Sequence, residues 1–391
     1  MNSKKLFFSL TLLLSLFTWT AKAITMTVGT TGADFPTLKA AFDAINANAG
    51  GVYTGVVTLQ IIDNTSEPTT VPAQLDASPN WTSVNIYPTV TGKTINGNLD
   101  FPLILFNGAS KVTIDGRLHA STGKVTGSTR DLIITNTMVS ANSSTIKFNT
   151  GASNNIVKYC VIKGSSKADY NGTINFASNG NSNNSINNNL ITNADNANRP
   201  QNSIVSMGVN TANDNNTISD NDFANCINSA YQSRAIRMTT LNTNWTISGN
   251  SFYETADIVP TASTAITIME IGTAGHTISG NFIGGTAAKC GGSPMTKTAD
   301  EDNAFSAISL NTGTDVTSIT KIENNTIQNI KWSNLGVGIF TGFSFVGSNF
   351  SATGNTIGAI TGTGSITYTA ADGGRVYVFN ISNSGGGTTN I

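Results

Sequence analysis

Six asparagines, Asn189, Asn221, Asn250, Asn281, Asn325 and Asn355, share one apolar frame. Three residues before each stands Ile186, Ile218, Ile247, Ile278, Ile322 or Ala352, and two residues after stands Ile191, Phe223, Phe252, Ile283, Ile327 or Ile357. The spacings between them are 32, 29, 31, 44 and 30 residues. One match in an Asn-rich chain means little. A joint frame at six sites, with a period inside the range of about 20–50 residues, marks a repeat architecture.

Each repeat carries two or three short runs of alternating apolar and polar residues, the pattern of half-buried strands. One run precedes the Asn frame: Ile146/Phe148, Ile174/Phe176, Ile236/Met238, Ile266/Ile268 and Ile308/Leu310. A propeller blade needs about 40–45 residues and four antiparallel strands. A coil near thirty residues with three short strands fits a parallel β-helix, whose equivalent residues stack about 4.8 Å apart. No coil buries its apolar face alone, so stability is a nearest-neighbour sum. The asparagines are expected at the bends, where Asn enters the left-handed region at low cost, with their side chains hydrogen-bonded along the column.

Among the 391 residues, 11% are charged and the net charge is −1. No basic stripe is present, which argues against a nucleic-acid partner. The periodic Ile and Phe columns argue against disorder despite 38 glycines and many Asn, Ser and Thr. Residues 1–23 read as an export signal: Lys4 and Lys5, an apolar stretch from Leu6 to Leu16, and Ala21-Lys22-Ala23 before a cut at Ile24. No other segment approaches eighteen apolar residues, so no transmembrane segment is expected after cleavage. The expected location is secreted or cell-surface. The three cysteines, Cys160, Cys226 and Cys290, read as free thiols. Cys226 and Cys290 lie two coils apart, roughly 10 Å by the stacking rise, too far for a disulfide. Cys160 takes the Asn position of its own coil.

Residues 24–110 read as an N-terminal cap and irregular first coils, and residues 111–391 as the regular helix of coils. In the cap, Leu38, Ala41, Phe42 and Ile45 share one face of a short helix, which would cover the first coil. Val56–Ile62 reads as the first full strand. The long interval after Ile283 holds about fifteen extra residues, read as a loop; loops on solenoid faces often carry binding function. Val376–Ile381 reads as the first strand of a further coil. An uncovered coil end is an open edge, so a truncated chain, a C-terminal module or a covering partner is expected there.

Gly-Ala-Asp-Phe-Pro-Thr-Leu at 32–38 and Val112-Thr-Ile-Asp-Gly116 resemble the opening and the coils of pectin-lyase-like right-handed β-helix proteins. The segments at 159–166, 196–200 and 284–295 resemble large secreted surface proteins of Bacteroidota. The resemblance implies an all-β, right-handed parallel β-helix with a short N-terminal capping helix. It also implies a possible polysaccharide substrate. The Gln-Asp and Asp-Phe-Ile-Phe-Gly elements of pectin methylesterases are missing. So are the Asn-Thr-Asp and Arg-Ile-Lys elements of polygalacturonases.

Polysaccharide hydrolysis needs positioned carboxylates, and lyase chemistry needs a strong base and often calcium. Aligning coils on Ile204, Ile236 and Ile266 brings Asp220, Asp222, Arg234, Arg237, Glu254, Asp257 and Glu270 onto three adjacent turns. Asp220, Asp222 and Arg237 are the catalytic candidates in this group. Solvated surface charge accounts for it more simply. Asp300 and Asp302, flanking Glu301, are the candidate calcium ligands, although three consecutive acids cannot all face one ion. No other cofactor is expected. His119 and His276 lie coils apart, and His276 is expected at a surface corner, equivalent to Trp245 and Asn216. Tyr231, Trp245, Tyr253, Trp332 and Phe343 are candidate sugar-stacking aromatics, with Arg234 and Glu254 as polar neighbours. Three readings follow: an exported scaffold for surface adhesion or glycan binding, without catalysis; a polysaccharide lyase or hydrolase working along the coils; and a passive spacer for a C-terminal module. The first prediction concerns export. Protein recovered from the medium of expressing cells should begin at Ile24 on N-terminal sequencing, and a product retaining Met1 would refute the signal.

Overall fold

The computed structural model describes residues 23–177, 179–313, 317–359 and 365–382, together with the backbone of the strand Thr389–Asn390. The export segment lies outside the described residues apart from Ala23. The chain is an all-β, right-handed parallel β-helix with one short N-terminal helix. Three parallel sheets form its faces, here numbered as the chain meets them. Gly55–Ile61 belongs to sheet 1, Thr65–Ser66 to sheet 2 and Ala73–Asp76 to sheet 3, and the next coil returns to sheet 1 with Trp81–Pro88. Among the described residues sheet 1 has twelve strands and sheets 2 and 3 have ten each. After a register shift between Gly55 and Val56, coils already stack within the stretch whose sequence pattern looks irregular.

Alternation on each strand sends one set of side chains inward. On sheet 2 the inward file is Ile134, Ile162, Ile191, Phe223, Phe252, Ile283, Ile327 and Ile357, each paired with the next. On sheet 3 it is Ile146, Ile174, Ile204, Ile236, Met269, Ile308 and Phe343. Ile236 therefore pairs with Met269, while Ile266 pairs with Ser233. The alignment on Ile266 is three residues out, because Ile266, Ile268, Met269 and Ile271 are all buried and alternation alone cannot choose among them. Rings of successive coils stack inside, as Phe148 on Phe176 (4.5 Å between centroids) and Phe223 on Phe252 (4.6 Å).

The asparagine column runs between sheets 1 and 2 as a closed amide ladder. Each Nδ2 donates to the Oδ1 of the next coil's Asn: 3.0 Å from Asn189 to Asn221, from Asn221 to Asn250 and from Asn250 to Asn281, then 2.9 Å to Asn325 and 2.9 Å to Asn355. The same Oδ1 also accepts the backbone N–H of the preceding Asn, and each Nδ2 reaches back to a carbonyl of the coil before, as Asn250 to Ile218 O at 2.9 Å. Cys160 begins the column, its N–H donating to Asn189 Oδ1. The asparagines themselves do not take the left-handed conformation. The residue before each does: Asn188, Asp220, Gly249, Gly280, Asn324 and Gly354 all have positive φ. The bend residue turns the backbone, which frees the next side chain to point inward and stack. Two further ladders, Asn155–Asn184–Asn216 and Asn181–Asn213, run buried at the other end of sheet 1.

The helix Leu38–Ala47 is capped by Thr37, whose hydroxyl accepts from Ala40 N. Glu67 adds a carboxylate at the same end, accepting from Leu38 and Lys39 N–H at 2.9 Å each. Its apolar stripe, Leu38, Ala41, Phe42 and Ile45, is buried as the spacing predicts. The insert after Ile283 is more than a loop. Its strand Met295–Lys297 opens a small three-stranded sheet with Ile330–Asn334 and Ile366–Ala370, because Met295, Ile330 and Trp332 add apolar surface for later coils to cover. All three cysteines are free and buried. Among the described residues no helix is long and apolar enough to cross a membrane.

The ladder predicts a graded mutational response. Asn250→Ala orphans Asn221 N–H and Ile218 O in the dry interior, so it should cost about 3 kcal/mol. Asn355→Ala, at the half-buried end, should cost only about 1 kcal/mol. Urea titration checks the difference, and equal losses at both sites would overturn the ladder's role.

Candidate functional site

Outward-facing residues are registered as strictly as inward ones. On sheet 3 the outward file reads Leu105, Lys147, Asn175, Val205, Arg237, Glu270, Ser309 and Ser344, each beside the next. Two features sit on this file, side by side. The first is a groove of about 480 Å³ over Lys147 and Asn175, walled by Phe101, Tyr170, Asn171 and Val209. Phe101 and Tyr170 are half exposed, at 48% and 53%. Asn171 Oδ1 accepts from Asn175 Nδ2 at 2.5 Å, which fixes both amides. Burial lowers the pKa of Lys147, and among the described residues it has no ion-pair partner.

The second feature is a four-membered charge cluster. Asp169 accepts from Arg234 at 2.8 Å and forms an ion pair with Arg237 at 2.9 Å, while Arg237 also donates to the Asp169 carbonyl. Glu270 pairs with Arg234 Nε and, at 3.4 Å, with Arg237 Nε. Two cations meet two carboxylates, so the group is locally neutral. Arg234 is buried and Asp169 is half exposed. Asp169 and Tyr170 are adjacent in sequence, so groove and cluster form one continuous surface. Asp169, Tyr170 and Lys147 escape sequence reasoning because they lie two or more coils before Arg234, Asp169 by 65 residues. Only the register Asn175–Val205–Arg237 brings them alongside.

The other sequence candidates do not gather here. Asp220 stands exposed at a left-handed corner beside the ladder. Asp222 lies on sheet 2, held by Arg130 at 2.8 Å. Arg237 is on sheet 3, so the three catalytic candidates are split between faces. Glu254 is fully buried and paired with Arg199, and its carboxylate also accepts from Ile227 N at 2.9 Å. Burial pushes its pKa up while Arg199 pulls it down. It clips two coils together and presents nothing to solvent. Asp257 lines a cavity of about 160 Å³ beside Arg199. Tyr231 is 43% exposed, with the Lys167 ammonium 5.6 Å from its ring. Tyr253 is half-buried, and burial raises its pKa.

Trp245 corrects the expectation of an exposed aromatic. It is wholly buried, its indole N–H donates to Asn213 O at 2.8 Å, and its ring meets Phe176 edge-on. Trp332 and Phe343 are buried too. His276 is equally far from a surface corner. Its Nδ1 accepts the Trp245 N–H at 3.1 Å, the bond that an Asn Oδ1 makes in the neighbouring ladder. Asn216, Trp245 and His276 therefore occupy one interior position.

Asp300, Glu301 and Asp302 point to separate donors: the Thr298 hydroxyl, the Ser263 hydroxyl at 2.6 Å and Gly338 N–H at 2.6 Å. Among the described residues no three His, Cys, Asp or Glu side chains group as metal ligands. Oxygens nearby already hold a cation. The buried Lys297 ammonium donates to Glu301 O, to Ser333 O at 2.7 Å and to Asn334 Oδ1 at 2.8 Å. Burial pulls its pKa down to about 8 against the pull of the three acids.

No family model matches the sequence, and no curated protein matches it. The pectin-lyase-like and Bacteroidota resemblances therefore rest on their sequence motifs. Among solved structures the chain is similar to the surface protein and adhesin PfbA of Streptococcus pneumoniae. The two share 14% identity over 90% of this chain and 95% of that one, with a TM-score of 0.31. Neither figure is high enough to carry function from one chain to the other.

His276 generates a pH prediction. Burial drives its pKa down to about 4 from an ordinary 6.5, so between those values the unfolded chain binds the extra proton. Stability is then complete above about pH 6.5 and falls by about 3 kcal/mol as pH drops to about 4. His276→Asn keeps the acceptor for Trp245 N–H and should remove this component while leaving stability at pH 7 within about 1 kcal/mol. Urea titrations at several pH values check it, and an unchanged pH profile in the variant would refute it.

Proposed function

We propose that this chain is an exported scaffold that binds glycan along sheet 3, in the manner of an adhesion module rather than an enzyme. The observation that carries the reading is the continuous sheet 3 surface from Phe101 to Glu270. It combines what sugars require: half-exposed rings at Phe101 and Tyr170, fixed amides at Asn171 and Asn175, and paired charges at Asp169, Arg234, Arg237 and Glu270. Aromatic faces stack on the C–H faces of a sugar ring, and amides and charged groups bond its hydroxyls.

Charge pairing supports binding over turnover. Each carboxylate of the cluster is paired with two arginines, which hold it as an anion and disfavour its taking up a proton as a general base, while its remaining lone pairs stay open to hydroxyls. The stacked coils support the scaffold part of the reading, because register repeats the outward file at a fixed rise and suits an extended chain. The export signature supports a location where such chains are met.

A glycan array probed with the mature protein should show retention of a subset of polysaccharides. Tyr170→Ala should weaken it at least about tenfold, as loss of a stacked ring and its buried area would. A reducing-sugar and unsaturated-product assay on the retained glycans should stay at background. Product formation abolished by Arg237→Ala would replace the scaffold reading with an enzyme. No retention on any glycan would leave the spacer reading.

A further inference from the structure

The insert after Ile283 brings an amine and an amide together in the dry interior. Its strand Met295–Lys297 runs parallel to Ile330–Asn334, with Lys297 registered opposite Trp332. Alternation buries Met295 and Lys297 on one strand and Ile330, Trp332 and Asn334 on the other. Asn334 is thus the diagonal neighbour of Lys297, a position that a long side chain reaches. Lys297 is 0% exposed and Asn334 3%. The Trp332 ring packs on Phe305 at 4.6 Å between centroids, and the Lys297 ammonium lies 5.9 Å from the Trp332 ring centre.

Lys297 Nζ meets Asn334 Oδ1 at 2.8 Å. The amide carbon lies one bond, about 1.2 Å, beyond that oxygen, so it stands within about 4 Å of Nζ. Attack on a carbonyl starts from about 3–3.5 Å, which a small side-chain rotation supplies. The same Oδ1 accepts Asn303 N–H at 3.2 Å. That backbone donor stays in place to hold the negative charge an attack would put on the oxygen. Burial pulls the Lys297 pKa down to about 8, so roughly a tenth of the side chains carry a neutral, nucleophilic amine at pH 7.

Asn334 Nδ2 supplies the second, independent observation. It is buried and has no hydrogen-bond partner, although it has two protons to give. Neighbouring Asn303 uses its own Nδ2 twice, donating to Ala262 O and Thr264 O at 2.9 Å each. The departure of Asn334 Nδ2 would therefore break no bond in the interior. Asp302 stands beside it: a Cβ at Gly338 would press against both Asn334 Nδ2 and Asp302 Oδ1, so the two atoms share a niche that the missing side chain leaves open. Gly338 N–H fixes the carboxylate there, donating to Oδ1 at 2.6 Å.

We infer that Lys297 and Asn334 join in an intramolecular amide bond, which ties the insert strand covalently to the coil that follows. The neutral amine, having given one proton to solvent, attacks Cγ while Asn303 N–H holds the oxyanion. The Nζ–Cγ bond forms as the Cγ–Nδ2 bond breaks. Asp302 passes a second Nζ proton to Nδ2, which leaves as ammonia. Nothing is oxidised or reduced, and no co-reactant is consumed. Burial keeps water from competing for Cγ, and the reaction removes a charge that is costly to bury. The bond shares no residue with the sheet 3 surface proposed for glycan, so either reading can fail alone.

Mass spectrometry of the denatured mature chain reads the bond directly. The wild-type mass should fall short of the sequence mass by one ammonia. A tryptic digest should contain a branched peptide that joins Lys297 to Asn334 and is uncut after Lys297. Lys297→Met and Asn334→Ala should each restore the full mass, and the wild-type result decides even where a variant folds poorly. Asp302→Asn keeps an acceptor for Gly338 N–H, so it should fold with the circular dichroism of wild type, yet leave most chains unjoined at harvest for want of a proton carrier. A wild-type chain at its full sequence mass would overturn the inference. So would an ammonia loss confined to a single linear peptide, the mark of a cyclised asparagine, or an Asp302→Asn chain joined as completely as wild type.

Discussion

Buried amide stacking between coils is the constraint on which the rest depends. A solenoid of short strands has no long ladder within a coil and few local contacts to hold its phase. A slip of one residue would turn every inward side chain outward. The asparagine column prevents it, because each amide is satisfied only when it meets the amide directly above and below. A displaced coil would bury unpaired amides at about 1–3 kcal/mol each. Apolar files supply the bulk of the driving force. They tolerate sliding better than the ladder does, as the run of apolar residues at Ile266–Ile271 illustrates.

That rigidity explains how side chains from separate coils come to share one outer face. Once inner residues are in register, outer ones are too, at the same rise. Lys147, Asn175, Val205, Arg237 and Glu270 come from five coils, yet they form one straight file. Cations and carboxylates within reach of one another pair off, as Arg234 and Arg237 do with Asp169 and Glu270. Where the outline departs from the regular coil, the chain places unusual groups, such as the buried Lys297 in the insert after Ile283.

Much of the fold was legible in the sequence. The frame around six asparagines gave the coil, its period and its core file on sheet 2, and helical spacing at Leu38–Ile45 gave the cap. Less legible was anything that depended on counting across variable corners. The Ile266 alignment failed by three residues, which hid the contact between Arg237 and Glu270. Trp245 and His276 align with Asn216 as the spacing predicts, but all three are buried, since a polar corner in sequence resembles a solvent-exposed one. Asn216 sits in a second ladder, and its spacing two residues before Ile218, repeated at Asn184 and Ile186, was the signal available for it.

The sequence by itself determined the repeat, the direction in which residues point on strands of clean alternation, and where the corners fall between strands. Those follow from alternation and from the conformational preferences of Asn and Gly, which act over a few residues. Only the tertiary structure decided which corners are dry and which charges meet. It alone set Asp169 beside Arg234 and the Trp245 ring edge-on to Phe176. Such contacts join residues a coil or more apart, and the lengths of the intervening turns, which no local preference fixes, set who faces whom.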